Sequence, residues 1–328
     1  MINKKKRTVR KIASLCLTVS IIFSGCGVDT EAFDNYKAVV PSNVEQNVAD
    51  ETYSQGYLSD SICIIPDKKQ SEPDSVMTSG ASLIINDTSD KMLYSHNIYE
   101  KMYPASITKI VTALVALKYA NLEDMVTISY DASHIMVYGA KLCGFAEGDK
   151  IKLKDLLYSF LVYSGNDAGV AIAEHISGSV DEFAKLMNKE MKELGAVSSH
   201  FTNPHGLHDD NHYTSAYDLY LVFHELLQYD TFKDIINQAY YVAEFEDASG
   251  GEKKLYFKST DRYLTGAAVI PDGVNVIGGK TGTTMAAGSN LILYSQDEKK
   301  NDYISVVMHA SDASSLYTQM SHLLEMEK

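Results

Sequence analysis

Residues 106–120 read SITKIVTALVALKYA. Apolar side chains occur on nearly every face of this stretch, and a helix of that kind belongs inside a protein. It is therefore expected to be a buried central helix, starting just after Pro104, where helices commonly begin. Upstream, residues 81–86 (ASLIIN) and 91–95 (KMLYS) flank the turn-forming Asp87-Thr88-Ser89-Asp90, the pattern of a β-hairpin. Downstream, residues 121–240 read as mostly helical. Helices at 155–163 and 167–176 bracket a Ser-Gly-Asn turn, and Ser179-Val180-Asp181-Glu182 forms a capping box. An amphipathic helix follows at 216–227. Strand patterns then return at 240–245, 255–258, 274–278, 290–295 and 303–309, before a closing helix at 315–326. The order predicts an α+β fold. One antiparallel sheet is built from both chain ends and flanked by helices, with the helical block inserted into it.

The 328 residues, 45% of them hydrophobic, suffice for one large or two modest domains. Six of the 29 basic residues (Lys4, Lys5, Lys6, Arg7, Arg10 and Lys11) precede the first acid, Asp29; the other 23 face all 43 acids, a net of −20. So acidic a body repels a phosphate backbone, which argues against nucleic acid as a partner, and it repels an anionic membrane surface too. The apolar stretch 12–24 is 13 residues long, short of the ~20 needed to cross a bilayer but suited to a secretory signal. It runs through Phe23-Ser24-Gly25 into Cys26, resembling a bacterial lipobox with Phe23 in place of the usual Leu. Residues 1–25 are thus expected to be a lipoprotein signal and Cys26 the lipidated residue. Residues 26–77, polar and acidic, are read as a flexible tether with a span of ~40 Å. A short strand or helix near 61–65 is the alternative within it. Four cysteines are too few for a disulfide scaffold. Cys16 would leave with the signal, and Cys63 and Cys143 are read as free thiols.

Three short motifs carry the chemistry: Ser106-Ile107-Thr108-Lys109, Ser164-Gly165-Asn166 and Lys280-Thr281-Gly282, followed by Thr283. Ser-x-x-Lys alone recurs by chance, but on a helix it puts the amine on the face of the hydroxyl. A lysine in an otherwise apolar helix has its charged form disfavoured, which makes it a base. Ser164-Gly165-Asn166 lies in a turn, where side chains point into a cleft. Gly282 near a strand end, with no Cβ, would let a bound peptide backbone approach.

Together these motifs resemble those of the serine D-alanyl-D-alanine carboxypeptidases, the low-molecular-mass penicillin-binding proteins of peptidase family S11. The stretches YPASITKI (103–110), VYSGNDAGVAIAEHISGS (162–179), FTNPHGL (201–207), HYTSAYDL (212–219) and GGKTGTT (278–284) carry the resemblance over residues 78–327. It implies a catalytic domain at 78–328 that removes the terminal D-alanine from peptidoglycan stem peptides. Ser106 would be the nucleophile and Lys109 its base; Ser164 would relay a proton to the leaving D-alanine. Asn166 would hold the substrate amide and Lys109. Lys280, with the hydroxyls of Thr281 and Thr283, would receive the substrate carboxylate. The N–H groups of Ser106 and Thr283 would form an oxyanion hole, worth roughly 3–4 kcal/mol per donor. β-Lactams would acylate the same serine. The resemblance implies no cofactor and no metal, and an enzyme anchored by its lipid outside the bacterial cell membrane.

Many family members carry a larger residue at Thr283, and no arginine follows Lys-Thr-Gly here, where some relatives set one against the terminal carboxylate. Arg262, the only arginine beyond position 10, is left as the question. The chain ends 46 residues after Gly282, so the family's second β-rich domain and C-terminal anchor are not expected. A β-lactamase would need a glutamate to activate water, and no Glu-x-x-Leu-Asn stands between Ser164 and Lys280. A penicillin sensor that acylates without turnover is a further alternative. A metallopeptidase would use His205, His208 and His212 beside Asp209 and Asp210, but their spacing is not a standard zinc arrangement; they read as surface and hydrogen-bonded loop histidines.

Overall fold

The computed structural model describes residues 62–65 and 70–328. The signal, Cys26 and most of the tether lie outside the described residues. In chain order the elements are β1 (Ala81–Asn86), β2 (Lys91–His96), α1 (Thr108–Tyr119), β3 (Met125–Thr127), α2 (Tyr130–Ser133), β4 (Lys150–Lys152), α3 (Leu153–Val162), α4 (Asn166–Ser177), α5 (Val180–Glu193), α6 (Ala216–Leu226), α7 (Asp230–Ile236), β5 (Tyr240–Glu246), β6 (Glu252–Lys258), β7 (Val274–Thr284), β8 (Gly288–Asp297), β9 (Asp302–Ala310) and α8 (Ala313–Leu324).

Five strands form the expected antiparallel sheet, in the order β2-β1-β9-β8-β7. It does join both chain ends: Leu83 of β1 lies opposite Val306 of β9. The run ASLII is apolar without alternation because both faces are covered. Leu83 and Ile85 enter the core shared with the helical block. Ile84 faces the other way, against Leu316, Met320 and Leu323 of α8. The predicted central helix is α1, buried at every position from Thr108 to Ala116. A 3-10 turn, Ala105–Ile107, leads into it. Side-chain caps start the helices where the sequence placed them: Ser179 accepts from the Glu182 N–H at 3.2 Å, and Ser215 from the Asp218 N–H at 3.1 Å.

Two expectations are corrected. Strands β5 and β6 do not join the large sheet; they belong to a second one, ordered β3-β4-β5-β6. Their inward side chains pack on the helical block instead, Phe245 and Phe257 against Phe145, and Tyr241 stacked on Tyr158 of α3 with centroids 4.5 Å apart. The insertion therefore runs to the end of β6. The domain also begins earlier than residue 78. The Cys63 N–H donates to Tyr220 Oη (3.0 Å), Tyr217 Oη donates to the Cys63 carbonyl (2.9 Å), and the Ser71 N–H donates to the Ser95 carbonyl (2.9 Å). Asp74 pairs with His322 of α8 at 2.7 Å. Residues 62–65 and 70–77 are ordered by these side chains and not by periodicity of their own. Cys63 and Cys143 are both buried free thiols. Among the described residues no helix is long and apolar enough to cross a membrane.

Candidate active site

Ser106 sits in the 3-10 turn, and the residue before it, Ala105, holds a left-handed φ of 49°. Such a conformation in a residue with a Cβ is strained and persists only where the surroundings enforce it. One turn on, the Lys109 side chain is fully buried. Its Nζ lies 3.0 Å from Ser106 Oγ, 2.7 Å from Asn166 Oδ1 and 2.6 Å from the His205 carbonyl. Burial pushes its pKa well below the usual lysine value, and the charge of Lys280 adds to the effect. A neutral amine has two N–H groups and one lone pair. Asn166 Oδ1 and the His205 carbonyl can only accept, so they take the two N–H groups. The lone pair is left for the Ser106 hydroxyl.

Ser164 ends the turn after α3 with φ 74°, and its hydroxyl opens on the same cleft as Ser106. Asn166 is the first residue of α4. Gly165 between them is required by a close approach: a Cβ there would lie 2.2 Å from Cys143 Sγ and 2.7 Å from the Cys143 nitrogen. The loop carrying Cys143 is clamped onto the motif. The Asn166 N–H donates to the Lys141 carbonyl (2.7 Å), and the Asp167 carboxylate accepts from the N–H groups of Cys143 and Gly144, each at 2.8 Å. Asp167 was missed by the sequence reading, although it stands next to the motif.

The third motif lies near the end of β7, the edge strand of the large sheet, whose outer backbone groups are open to pairing. Gly282 is read from sequence as making room for a bound peptide. In the structure the chain's own backbone presses on it: a Cβ would lie 2.7 Å from the Pro104 carbonyl oxygen and 2.9 Å from the nitrogens of Ser106 and Ile107. The glycine thus lets β7 dock on the turn that presents Ser106. Lys280 is buried, its Nζ donates to the Thr281 carbonyl at 2.9 Å, and burial lowers its pKa to about 7. Thr281 Oγ1 donates to Thr260 Oγ1 at 2.6 Å.

The cleft between these elements measures about 340 Å³. Ser106, Ser164, Asn166, Thr281, Gly282 and Thr283 all line it, while Lys109 and Lys280 lie beneath the lining. Thr260, Lys141 and Arg262 line it too, and none of these was assigned a role from sequence; among the described residues no Asp or Glu does.

The three histidines are not gathered. His205 is buried at the cleft, and burial with the nearby Lys109 holds its pKa well below the usual value. His212 is buried as well, lowered to about 4. Its Nδ1 accepts from the Thr202 N–H (3.1 Å), so its Nε2–H donates to Thr108 Oγ1 (2.7 Å), and that hydroxyl donates to the Ala105 carbonyl (2.8 Å). This chain braces the strained residue before Ser106. His208 instead packs edge-on against Tyr103. The expected surface position is corrected for His205 and His212, which are buried; the expected hydrogen bonding is present in both. Among the described residues no group of three His, Cys, Asp or Glu side chains is placed to hold a metal ion.

A family model described as D-alanyl-D-alanine carboxypeptidase matches residues 67–312. The curated D-alanyl-D-alanine carboxypeptidase DacF of Bacillus subtilis is 34% identical over 254 residues, 75% of this chain and 60% of its own length. DacA of Haemophilus influenzae is 32% identical over 237 residues, 71% of this chain and 57% of its own. The chain thus spans about 60% of the length of these relatives. Among solved structures, penicillin-binding protein 5 of Haemophilus influenzae superimposes with a TM-score of 0.67 at 29% identity, covering 78% of this chain and 71% of that one. The Streptomyces K15 DD-transpeptidase gives 0.72 at 23% identity over 78% of this chain and 98% of its own, a likeness of fold.

Proposed function

The chain belongs to the D-alanyl-D-alanine carboxypeptidase family, peptidase family S11, and on that premise we propose that it removes the terminal D-alanine from peptidoglycan stem peptides through an acyl-enzyme on Ser106. The observation that carries this reading is the buried Lys109 amine 3.0 Å from the Ser106 hydroxyl, whose other two contacts are acceptors, so that in its neutral form the lone pair faces that hydroxyl. Lys109 takes the Ser106 proton as Oγ attacks the carbonyl of the penultimate D-alanine. The N–H groups of Ser106 and Thr283 receive the oxyanion. A proton passes from Lys109 by way of Ser164 to the departing amine, the C–N bond breaks, and free D-alanine leaves. Water then attacks the ester, giving up a proton to the same relay, and the shortened peptide departs with Ser106 restored. The substrate lies along the open edge of β7. Its carboxylate is held by the positive charge of Lys280 and the hydroxyls of Thr281 and Thr283, and its amide by Asn166. A β-lactam acylates the same oxygen.

Among the described residues the cleft lining offers Lys141, Arg262 and hydroxyl groups, a setting suited to an anionic peptide end, and no carboxylate placed to activate water as in a β-lactamase. The first test is D-alanine release from diacetyl-Lys-D-Ala-D-Ala by the purified protein and by its Ser106→Ala variant. Release confined to the wild type supports the reading. Labelling of Ser106 by a fluorescent penicillin without release would replace it with a non-turnover sensor. We also propose that residues 1–25 are cleaved and Cys26 carries a lipid, holding the catalytic domain on the outer face of the cell membrane by residues 26–61. The basic start, the 13-residue apolar stretch and the small residues before Cys26 support this. Globomycin-sensitive processing, abolished in Cys26→Ser, is the check.

A further inference from the structure

Two cations line the cleft and neither has been given work. Lys141 comes from the loop clamped to the start of α4, and its Nζ lies 3.9 Å from the centroid of the Tyr163 ring. Arg262 follows β6 and rests over the ring of Tyr317 of α8, 5.2 Å from its centroid. No carboxylate among the described residues pairs with either one. This is notable in a chain with 43 acidic against 29 basic residues, where eight other lysines do have carboxylate partners. With Lys280 beneath the lining, the cleft offers more positive charge than one terminal carboxylate neutralises.

The two cations stand with different parts of the site. Arg262 lies two residues from Thr260, the hydrogen-bond partner of Thr281, on the side assigned to the terminal carboxylate. Lys141 is tied through its own carbonyl to Asn166, the residue assigned to the amide on the acyl side of the scissile bond. Its backbone is fixed there by a hydrogen bond and by the Asp167 clamp two residues on, so its ammonium is presented from a rigid base and not from a wandering loop. We propose that Lys141 is a specificity-determining residue that takes a second carboxylate of the substrate, one carried by the side chain of the residue preceding D-alanyl-D-alanine. This rests on the carboxypeptidase reading and names its substrate class: stem peptides whose diamino acid keeps a free carboxylate.

The test compares two peptides of equal reach, diacetyl-L-lysyl-D-alanyl-D-alanine, whose side chain ends in a neutral amide, and N-acetyl-L-α-aminopimelyl-D-alanyl-D-alanine, whose side chain ends in a carboxylate. The wild type is expected to favour the acid by about tenfold in kcat/KM, expressed in KM, since a hydrogen bond to a charged group contributes on that order. Lys141→Met brings the ratio close to one, Lys141→Arg restores it, and Arg262→Met lowers both peptides together. A wild-type ratio of one, or a ratio that Lys141→Met leaves unchanged while both rates fall, overturns the proposal; the second result would mean that Lys141 only sets the potential around Lys109 and Lys280. A penicillin with a carboxylate-ended acyl chain and its amide read the same ratio as acylation rates. A chain that releases no D-alanine therefore still tests Lys141, and the two readings fail separately.

Discussion

The floor and the rim of the cleft use positive charge in opposite ways. On the floor, Lys109 and Lys280 are buried, their pKa values are lowered, and each is held by backbone or amide oxygens. On the rim, Lys141 and Arg262 are exposed and each lies against an aromatic face, although partial burial lowers the Lys141 pKa as well. Complete burial makes a lysine reactive by penalising its charge, whereas a cation that still reaches the surface can meet a charge on a ligand. The two floor lysines belong to the Ser-x-x-Lys and Lys-Thr-Gly motifs; the two rim cations lie in loops outside the three motifs.

The hardest test of the contrast is Lys109→Met, which keeps the volume and removes the base. Acylation by a fluorescent penicillin should fall by about 10³-fold, the range expected of a positioned general base; a loss under tenfold would move the base elsewhere. Next is Gly282→Ala. The added Cβ meets the backbone of the Ser106 turn at under 3 Å, so β7 and the turn must part. Roughly 10²-fold in kcat/KM and about 1–3 kcal/mol of stability should be lost, measured by D-alanine release and denaturant unfolding. Retained activity would mean the turn yields without harm.

The third test is pH. With its pKa at about 7, Lys280 is charged below that value and neutral above it. Carboxylate binding should therefore weaken as pH rises through 7, seen as a rising KM. In Lys280→Arg, whose guanidinium stays charged, that rise should vanish even if the overall rate is lower. A KM profile identical in both proteins would separate Lys280 from carboxylate binding.

The smallest effect belongs to a buried charge outside the cleft. Glu327 accepts from Ser295 Oγ at 2.7 Å through one oxygen, its other oxygen has no partner among the described residues, and burial raises its pKa to about 7. The folded state then binds a proton that the unfolded state has lost, so stability declines as pH rises from about 4.5 to 7 and stays lower above it. Glu327→Gln should add about 1–3 kcal/mol at pH 8 and little at pH 4, read from denaturant midpoints at the two pH values. A gain at both would mean the carboxyl is misplaced for reasons other than charge.

Much of this was legible in advance, and the reasons differ by region. The hairpin of β1 and β2 was announced by four turn residues, α1 by its all-round apolarity, the start of α5 by its Ser179 capping box, and α6 by its amphipathic pattern. The floor residues were legible because three short motifs stand in order and together resemble those of one family; Ser-x-x-Lys alone recurs by chance. Strands β5 and β6 were seen as strands, but their partners were not. Alternation tells which face is buried, not against what, and β4 has only three residues to pair with β5. The attachment of residues 62–65 and 70–77 was invisible because it depends on tyrosine hydroxyls of α6 and a histidine of α8, far off in sequence. Thr260, Lys141 and Arg262 belong to loops whose path to the cleft no periodicity records.

The pairing of β1 with β9 also sets a timetable. Leu83 lies opposite Val306, 223 residues later in the chain. Until β9 arrives, β1 lacks the strand that completes its hydrogen bonds. Throughout that interval ASLII is an apolar strand with one open edge. Contacts within the helical block are closer in sequence, so the block is expected to form first and the sheet to close last around it.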